Sequence, residues 1–167
     1  SLFCIWITPL RALAKQIQLS IQDFLSDMCD EFSVEVRNGD TSLKVRARQA
    51  KKLPHILITT PESFQLLICS KGWKKKMEQV DTVVVDEWHE LMGSKRGVQL
   101  ELCLSALRFY NSNLKTWGIS ATIGNLDEAK NVLIGKHLDG SYVKGKLIKS
   151  STRKQIEVEV VCLLYTS

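Results

Sequence analysis

The stretch that most constrains this chain is Asp-Thr-Val-Val-Val-Asp-Glu-Trp-His at residues 81–89. Three consecutive β-branched valines are typical of a strand that is buried on both faces, as in a parallel sheet. The strand ends on Asp86 and Glu87, with a tryptophan and His89 directly behind them. Open α/β sheets bind their ligands at the carboxyl ends of the strands, so the two acids are candidates for a functional site.

The two carboxylates have a chemical and a structural interpretation. Asp86 could hold a hydrated Mg²⁺ ion, and Glu87 could orient or deprotonate an attacking water. Alternatively, both acids could simply stabilise the N-terminus of a following helix through its dipole. The pattern of the other strands bears on this choice.

Composition excludes several classes of protein. The 167 residues are 44% hydrophobic and 25% charged, which is typical of one globular domain and excludes a disordered tail. The net charge of +5 permits nucleic-acid binding but does not require it. The five cysteines are scattered without a CxxC pair, so we expect reduced thiols in an intracellular, cytoplasmic protein, with no zinc site or disulfide framework. No apolar run approaches the roughly 20 residues that span a bilayer, and we expect no membrane partner.

Four apolar runs along the chain each end in polar residues and are each followed by a helical pattern. The runs end at Thr8-Pro9, Thr59-Thr60-Pro61, Asp86-Glu87 and Ser120-Ala121-Thr122. Strands that alternate with helices predict an α/β fold with a parallel sheet, whose right-handed crossovers bring all four strand ends to one edge. The polar groups therefore converge on one crevice, which argues against a purely structural role for Asp86 and Glu87.

Local patterns predict where several helices begin. Pro9 and Pro61 are each expected just inside the start of a helix, where the missing N–H costs nothing. Thr60 is expected to cap the helix that follows it. Residues 93–97 are expected to form a flexible basic loop, followed by a helix from about residue 98 to residue 107.

Two further segments carry turn and capping signals. Residues 37–41 contain turn chemistry, and Asn125 has capping-box spacing to Glu128 before a helix that Gly135 can end. A run of basic residues follows the turn at residues 37–41, and it is most simply interpreted as a solvated surface. The run consists of Lys44, Arg46, Arg48, Lys51 and Lys52.

Five short motifs together resemble those of a superfamily-2 DExH helicase, in that family's order. They are TPLRALA at 8–14, NGDT at 38–41, TTPES at 59–63, DEWH at 86–89 and SAT at 120–122. The fuller strings VVVDEWHELMGSKRG and WGISATIGNLDEA are similar to the Lhr (large helicase-related) branch and its ligase-associated DExH relatives. The resemblance extends from Thr8 to about Gly135, and it implies a RecA-like motor domain with a parallel sheet flanked by helices.

The resemblance implies roles for the residues at the acidic motif. Asp86 resembles the Walker B aspartate that holds Mg²⁺ through its waters, and Glu87 resembles the catalytic glutamate that acts on the hydrolytic water. Both acids are therefore the candidate metal site. His89 resembles the histidine that links the nucleotide site to Ser120–Thr122, which couple hydrolysis to strand movement. A lone histidine could otherwise be a hydrogen-bonded structural group.

The resemblance also implies a surface that grips a single-stranded backbone. The matching positions are Pro9, Arg11, Ala12, Gly39, Asp40, Thr60, Pro61 and Glu62. Helix N-termini and Arg11 offer N–H groups and positive charge to phosphates without reading bases. Arg11 could instead be a plain surface charge. The implied partner is single-stranded or partly duplex nucleic acid; DNA is favoured, and RNA stays open.

The chain departs from the family pattern in two respects. No phosphate-binding loop precedes the first strand, and the second RecA-like domain with its arginine finger is absent from these residues. Gly140–Lys146 fits GxxxxGK, but Leu147 stands where Ser or Thr must reach Mg²⁺ and no buried strand leads into the loop. We therefore expect residues 1–140 to be a partial first motor domain, and residues 141–167 to be a linker or the start of the second.

Two functions from different classes fit the sequence. The first is part of an ATP-dependent nucleic-acid helicase or translocase that uses ATP and Mg²⁺, in which this chain alone is inactive. The second is a non-catalytic nucleic-acid-binding or scaffold domain that retains the fold. Decay of the acidic motif would mark the second function, whereas Asp86, Glu87 and His89 are intact, so the sequence favours the helicase.

Overall fold

A five-stranded sheet lies at the centre of the structure, a computed structural model that describes residues 2–28, 31–121, 124–137 and 139–149. The strands are β1 (Cys4–Ile7), β2 (Val34–Arg37), β3 (Ile56–Thr59), β4 (Thr82–Val85) and β5 (Lys115–Gly118). Their order in the sheet is β2-β3-β1-β4-β5, and every pairing between them is parallel. The predicted parallel sheet is therefore confirmed.

Seven helices alternate with the strands in the described ranges. They are α1 (Arg11–Ser26), α2 (Leu43–Lys51), α3 (Pro61–Ile68), α4 (Trp73–Met77), α5 (Trp88–Leu91), α6 (Lys95–Tyr110) and α7 (Leu126–Ile134). Because all five strands run in the same direction, the residues that follow β1, β3, β4 and β5 lie at one edge of the sheet. The predicted convergence of the four motif-bearing strand ends is confirmed.

The sheet is covered on both faces. On one face, Ile5 packs in a large cluster with Phe64 of α3 and Leu104 of α6. On the other face, Ala14 of α1 packs in a smaller cluster with Ile58. Successive strand side chains point to opposite faces, so a strand at the centre of such a sheet must be apolar throughout.

Strand β4 shows this double burial most clearly. The side chains of Val83 and Val85 are inaccessible to solvent, and Val84 is only 8% exposed. The run of three valines therefore forms the buried parallel strand that its composition predicts. The backbone N–H of Asp86 then donates to the carbonyl of Ile7 (2.8 Å), which fixes the first acid beside the end of β1.

The prediction that Pro9 lies within the first turn of a helix is wrong. Helix α1 begins at Arg11, with Leu10 as its N-cap in an extended conformation. The Thr8 N–H donates to the Thr59 carbonyl (3.0 Å), so the chain continues the β1–β3 ladder past the strand and turns later than proline alone suggests. Pro61 does occupy the first turn of α3, with Thr60 as N-cap, although the Thr60 side chain makes no capping bond.

The predicted flexible loop at residues 93–97 is also wrong, because α6 begins at Lys95. Gly93 turns the chain at a positive φ of 70°, and the Ser94 hydroxyl then accepts a hydrogen bond from the Gly97 N–H (3.1 Å). The same hydroxyl donates to the Leu91 carbonyl (2.7 Å). This side-chain cap starts the helix three residues before the predicted position and gives the segment a defined conformation.

The side-chain cap that Asn125 was predicted to give α7 is confirmed. Asn125 Oδ1 accepts from the Glu128 N–H (3.2 Å), and Gly135 ends the helix at a φ of 83°. Beyond it, Tyr142 forms an isolated antiparallel bridge with Lys136, and no helix follows the GxxxxGK match in residues 147–149. Thr122 and residues 150–167 lie outside the described ranges. In the described part of the chain, no helix has the length and apolarity to cross a membrane.

Candidate functional site

Asp86 is oriented by two neighbouring groups at the carboxyl end of β4. Its Oδ1 accepts a hydrogen bond from the backbone N–H of Glu87 (3.0 Å). Its Oδ2 lies 3.5 Å from the indole Nε1 of Trp6, a residue that sequence reasoning did not single out. Trp6 pairs with Val84 in the β1–β4 register. Its position on the strand next to β4 was the sequence feature that could have indicated this contact. The carboxylate is thus held at the sheet edge and is only partly buried.

Glu87 has an unusual backbone conformation. It lies at φ 48° and ψ 43°, and among the described residues it is the one non-glycine residue with positive φ. That conformation costs an L-residue roughly 1–2 kcal/mol. Glu87 precedes α5 as its N-cap, yet its side chain makes no capping bond to this four-residue helix. Glu87 therefore does not cap α5 through its side chain, and its backbone strain is of the kind found at functional sites.

His89 connects the acidic motif to the segment after β5. Its Nδ1 lies 3.0 Å from Ser120 Oγ and 3.3 Å from Glu87 Oε2. The backbone N–H of Ala121 donates to the same Nδ1 (3.3 Å), and the His89 N–H donates to Ser120 Oγ (3.2 Å). The other ring nitrogen, Nε2, lies 3.3 Å from Glu90 Oε1.

His89 contacts both motifs in this geometry. The imidazole lies between the Glu87 carboxylate and the Ser120 hydroxyl. A displacement of either group would therefore change its contact with the ring. Ser120 and Ala121 supply the contacts from the second motif. The remaining member of the predicted set, Thr122, lies outside the described residues.

The turn at residues 38–41 is held by two arginines. Arg11, in the first turn of α1, forms an ion pair with Asp40 (2.9 Å) in which both side chains are mostly exposed, at 61% and 68%. A Cβ atom at Gly39 would lie 2.7 Å from Arg11 Nη2, so the absence of a side chain lets the guanidinium lie against the turn. Arg46 holds the other side by donating to the carbonyls of Thr41 (2.9 Å) and Asn38 (2.8 Å).

Within the basic run that was predicted to be a solvated surface, Arg46 is half-buried, whereas Arg48 is exposed as predicted. Arg46 closes the turn just described, and Arg48 forms an ion pair with Glu35 of β2 (2.9 Å). The pattern of charges along α2 could not reveal these partners, because Arg46 bonds backbone carbonyls of the preceding turn and Glu35 approaches Arg48 only when β2 packs beside α2. The three lysines of the run, Lys44, Lys51 and Lys52, are exposed as expected.

Arg96 joins two of the predicted motifs, and sequence reasoning missed it. Its guanidinium pairs with the Glu62 carboxylate through Nε, and its Nη2 donates to the Pro9 carbonyl (2.8 Å). Burial alone would raise the pKa of the Glu62 carboxyl, but hydrogen bonds from Arg96, its own backbone and Thr60, together with the arginine charge, lower it below the ordinary value. The cap at Ser94 and Gly97 was the sequence signal that could have placed Arg96 on a helix.

The predicted backbone-gripping residues divide into buried and exposed sets. Three of them are buried: Pro9, Thr60 and Pro61. The other five are exposed: Arg11, Ala12, Gly39, Asp40 and Glu62. All eight lie in segments that follow β1, β2 or β3 at the same edge of the sheet as the acidic motif. The exposed set is therefore the part of this surface that a ligand could reach directly.

The donor set at the acidic motif fits a hydrated magnesium ion. Within the described ranges, no group of three or more His, Cys, Asp or Glu side chains could hold a metal ion. Asp86 and Glu87 offer hard carboxylate oxygens in a small number, which is the protein contribution typical of a Mg²⁺ that keeps most of its waters. They do not offer the sulfur or multiple imidazole ligands that zinc prefers.

The fold and the site together define a class of α/β protein that binds its ligands at the carboxyl edge of a parallel sheet. The chain belongs to the DEAD/DEAH box helicase family, whose model matches residues 1–129. It is 35% identical to the ATP-dependent helicase Lhr-Core of Methanothermobacter thermautotrophicus, over 97% of this chain and 20% of that protein. The resemblance to DExH helicases of the Lhr branch is thereby confirmed.

Two solved structures support the fold. The Mycobacterium smegmatis helicase Lhr bound to ssDNA and AMP-PNP matches with a TM-score of 0.71 and 29% identity, over 80% of this chain and 19% of that one. The DEAD-box helicase Mss116 bound to ssRNA and UDP-BeF matches with a TM-score of 0.68 and 25% identity, over 79% and 28%. The chain thus has part of a RecA-like helicase domain, and it spans about a fifth of the length of the curated relatives it matches.

Proposed function

We propose that this chain is part of the first motor domain of an ATP-dependent nucleic-acid helicase. In this proposal residues 1–140 belong to that domain, residues 141–167 lead toward a second RecA-like domain, and the protein works in the cytoplasm. The observation that carries the proposal is the chain of contacts Glu87–His89–Ser120, which lies at the same sheet edge as the exposed Arg11. An acidic pair with this link and a neighbouring basic surface suits a motor better than a passive scaffold.

The acidic pair is proposed to serve ATP hydrolysis. Asp86, oriented by the Glu87 N–H and by Trp6, would hold Mg²⁺ through water, and Glu87 would orient the attacking water and accept its proton. When bound, Mg²⁺ would neutralise charge on the phosphates. The left-handed backbone conformation of Glu87 would hold its carboxylate in a fixed position relative to the attacking water, instead of leaving it on a flexible loop.

The surface around Arg11 is proposed to bind a single-stranded backbone. Arg11 and the backbone amides at the start of α1 offer positive charge and N–H donors, which recognise phosphates without selecting a base. The Lhr relative carries ssDNA and is 29% identical, whereas Mss116 carries ssRNA and is 25% identical, so we favour DNA. A partly duplex substrate with a single-stranded tail would suit such a surface.

The proposal is tested in the full-length protein that contains this chain. ATP turnover should require Mg²⁺ and rise when single-stranded DNA is added. Glu87→Gln should lower turnover at least about a hundredfold, the contribution typical of a general base, while nucleotide binding is retained. Glu78→Gln, which changes an exposed acid at the end of α4, is the matched control and should leave turnover unchanged.

The same measurements separate the helicase from the alternative function. A non-catalytic domain would bind the single strand without any ATP turnover that depends on Glu87. Stimulation by RNA but not by DNA would keep the motor and overturn the preference for DNA.

A further inference from the structure

Arg96 contacts two segments that are far apart in the chain. Its guanidinium donates through Nε to Glu62 Oε1 and through Nη2 to Glu62 Oε2 (3.4 Å) and the Pro9 carbonyl (2.8 Å). Glu62 lies 34 positions and Pro9 lies 87 positions before it. One side chain on α6 therefore fixes the segment that leads into α1 relative to the first turn of α3.

This arrangement differs from an ordinary surface ion pair. Exposed ion pairs usually contribute little, because two long side chains must be held in place in high dielectric. The Arg96 and Glu62 side chains are 39% and 48% exposed, but the planar guanidinium serves a carboxylate and a backbone carbonyl together. The start of α6 is itself fixed by the Ser94 cap, and a Cβ at Gly97 would collide with the Leu91 carbonyl oxygen.

The charges indicate a positioning role and not a phosphate contact. A free carboxylate at Glu62 would repel phosphates on the proposed strand-binding surface. Pairing with Arg96 neutralises that carboxylate and occupies the guanidinium at the same time. Arg96 therefore acts on the surface through Glu62 and Pro9, whereas Arg11 remains the exposed cation on α1.

The position of Arg96 in the chain adds a connection to the acidic motif. Asp86 and Glu87 are followed directly by α5, and the short turn at Gly93 and Ser94 leads from α5 into α6. The Ser94 hydroxyl holds this turn to the end of α5 through the Leu91 carbonyl (2.7 Å). A displacement of the start of α1 or of α3 would thus move α6, and with it the segment that carries Asp86 and Glu87.

We propose that Arg96 is a positioning residue that holds the starts of α1 and α3 in register and couples them to the acidic motif. The inference rests on the proposed helicase function. It predicts that Arg96 sets how much single strand is needed to stimulate ATP turnover. It also predicts that Arg96 does not contribute to the salt dependence of strand binding.

The experiment compares three variants of the full-length protein: Arg96→Ala, Arg96→Lys and the control Lys95→Ala. Lys95 is the exposed residue just before Arg96 in the first turn of α6, so its loss removes the same charge without the same contacts. Arg96→Ala should raise the DNA concentration for half-maximal ATP turnover about tenfold, the effect of one charge-assisted hydrogen bond. Arg96→Lys should behave like Arg96→Ala, because an ammonium lacks the planar set of N–H groups that donates to Glu62 and to the Pro9 carbonyl together. Lys95→Ala should match the wild type.

Three outcomes would overturn the inference. If Arg96→Lys restores wild-type behaviour, charge alone matters. If Arg96→Ala makes the salt dependence of binding shallower by about 0.7, the slope that one phosphate contact gives on a single strand, Arg96 is a direct contact. If Arg96→Ala lowers the melting temperature and changes DNA-independent turnover in proportion, its role is only structural.

Failure of the inference is distinguishable from failure of the proposed function. A wild-type protein without Glu87-dependent, DNA-stimulated turnover would contradict the function itself. A wild-type protein with that activity, and an Arg96→Ala variant with unchanged DNA requirement, would contradict only the role of Arg96. A double-mutant cycle with Glu62→Ala adds a direct test, because partners in one ion pair should give non-additive losses, whereas independent residues should give additive ones.

Discussion

At the scale of single residues, the Arg11 guanidinium is accessible to a phosphate although it forms an ion pair with Asp40. Both members of the Arg11–Asp40 pair are mostly exposed, and such pairs contribute only about 0–1 kcal/mol to stability. A phosphate that approaches α1 could therefore replace Asp40 as the partner of the guanidinium at low cost. The surface-charge alternative for Arg11 predicts no such exchange.

Arg11→Ala in the full-length protein should weaken single-strand binding about equally on different sequences. The loss of one phosphate contact should also make the slope of log affinity against log salt shallower by about 0.7. Titrations of two unrelated single strands at several salt concentrations measure both effects. Lys44→Ala, which removes an exposed charge from α2, is the control, and a loss confined to one strand sequence would contradict backbone recognition.

At the scale of elements, the junction between α5 and α6 is tightly packed. A side chain at Gly97 would meet the backbone carbonyl of Leu91, which cannot move aside as the end of a flexible side chain can. Gly97→Ala should therefore destabilise the protein by about 1–3 kcal/mol, the usual cost of overpacking. Gly124→Ala is the control, because a Cβ there meets nothing within 4 Å and the change should stay within about 0.5 kcal/mol. Denaturant unfolding compares the two variants, and equal effects would contradict the packing argument.

The contact between His89 and Ser120 joins two elements of the sheet edge. Removal of both hydroxyls of the second motif, by Ser120→Ala with Thr122→Ala, should reduce strand unwinding much more than ATP hydrolysis. The reason is that the Ser120 hydroxyl contacts the ring and not the two acids. Parallel assays of unwinding and turnover test this, and equal loss of both activities would assign these residues to chemistry or folding instead.

Elements were predictable from the sequence where local chemistry determines them. The valine run gave β4, and Asn125 with Gly135 bounded α7, because strand burial and capping depend on residues a few positions apart. The start of α1 was not predictable from Pro9, since the ladder to Thr59 keeps the chain extended. The glycines and basic residues at 93–97 predict a loop, whereas the Ser94 side chain caps the helix and α6 begins at Lys95.

At the scale of the whole molecule, the alternation of strands and helices was enough to predict a single edge for the polar motifs. The partners of individual side chains at that edge were not predictable. Arg96 and Trp6 reach residues that lie tens of positions away in the sequence. Such contacts depend on how elements pack, and no periodicity or cap in one segment encodes them.

The 167-residue chain on its own carries only part of the groups that phosphoryl transfer uses. Phosphoryl transfer depends on positioning and charge neutralisation, which a phosphate loop, its lysine and Mg²⁺ normally supply together. These residues offer Asp86 and Glu87 but no loop that matches GxxxxGK followed by Ser or Thr. An acidic pair without such a cradle tends to repel a triphosphate, so the isolated chain should bind Mg·ATP weakly or not at all and should not hydrolyse it.

Calorimetry and a turnover assay on the isolated chain measure both parts of this prediction. Gly140–Lys146 is the one segment that could contradict it, because it fits GxxxxGK. Leu147 follows it where a hydroxyl is needed, and residues 147–149 form no helix whose N-terminus could receive a phosphate. Steady ATP turnover by residues 1–167 that disappears on Lys146→Ala would overturn this rejection. Turnover restored only in the full-length protein, and abolished there by Glu87→Gln, is the expected result.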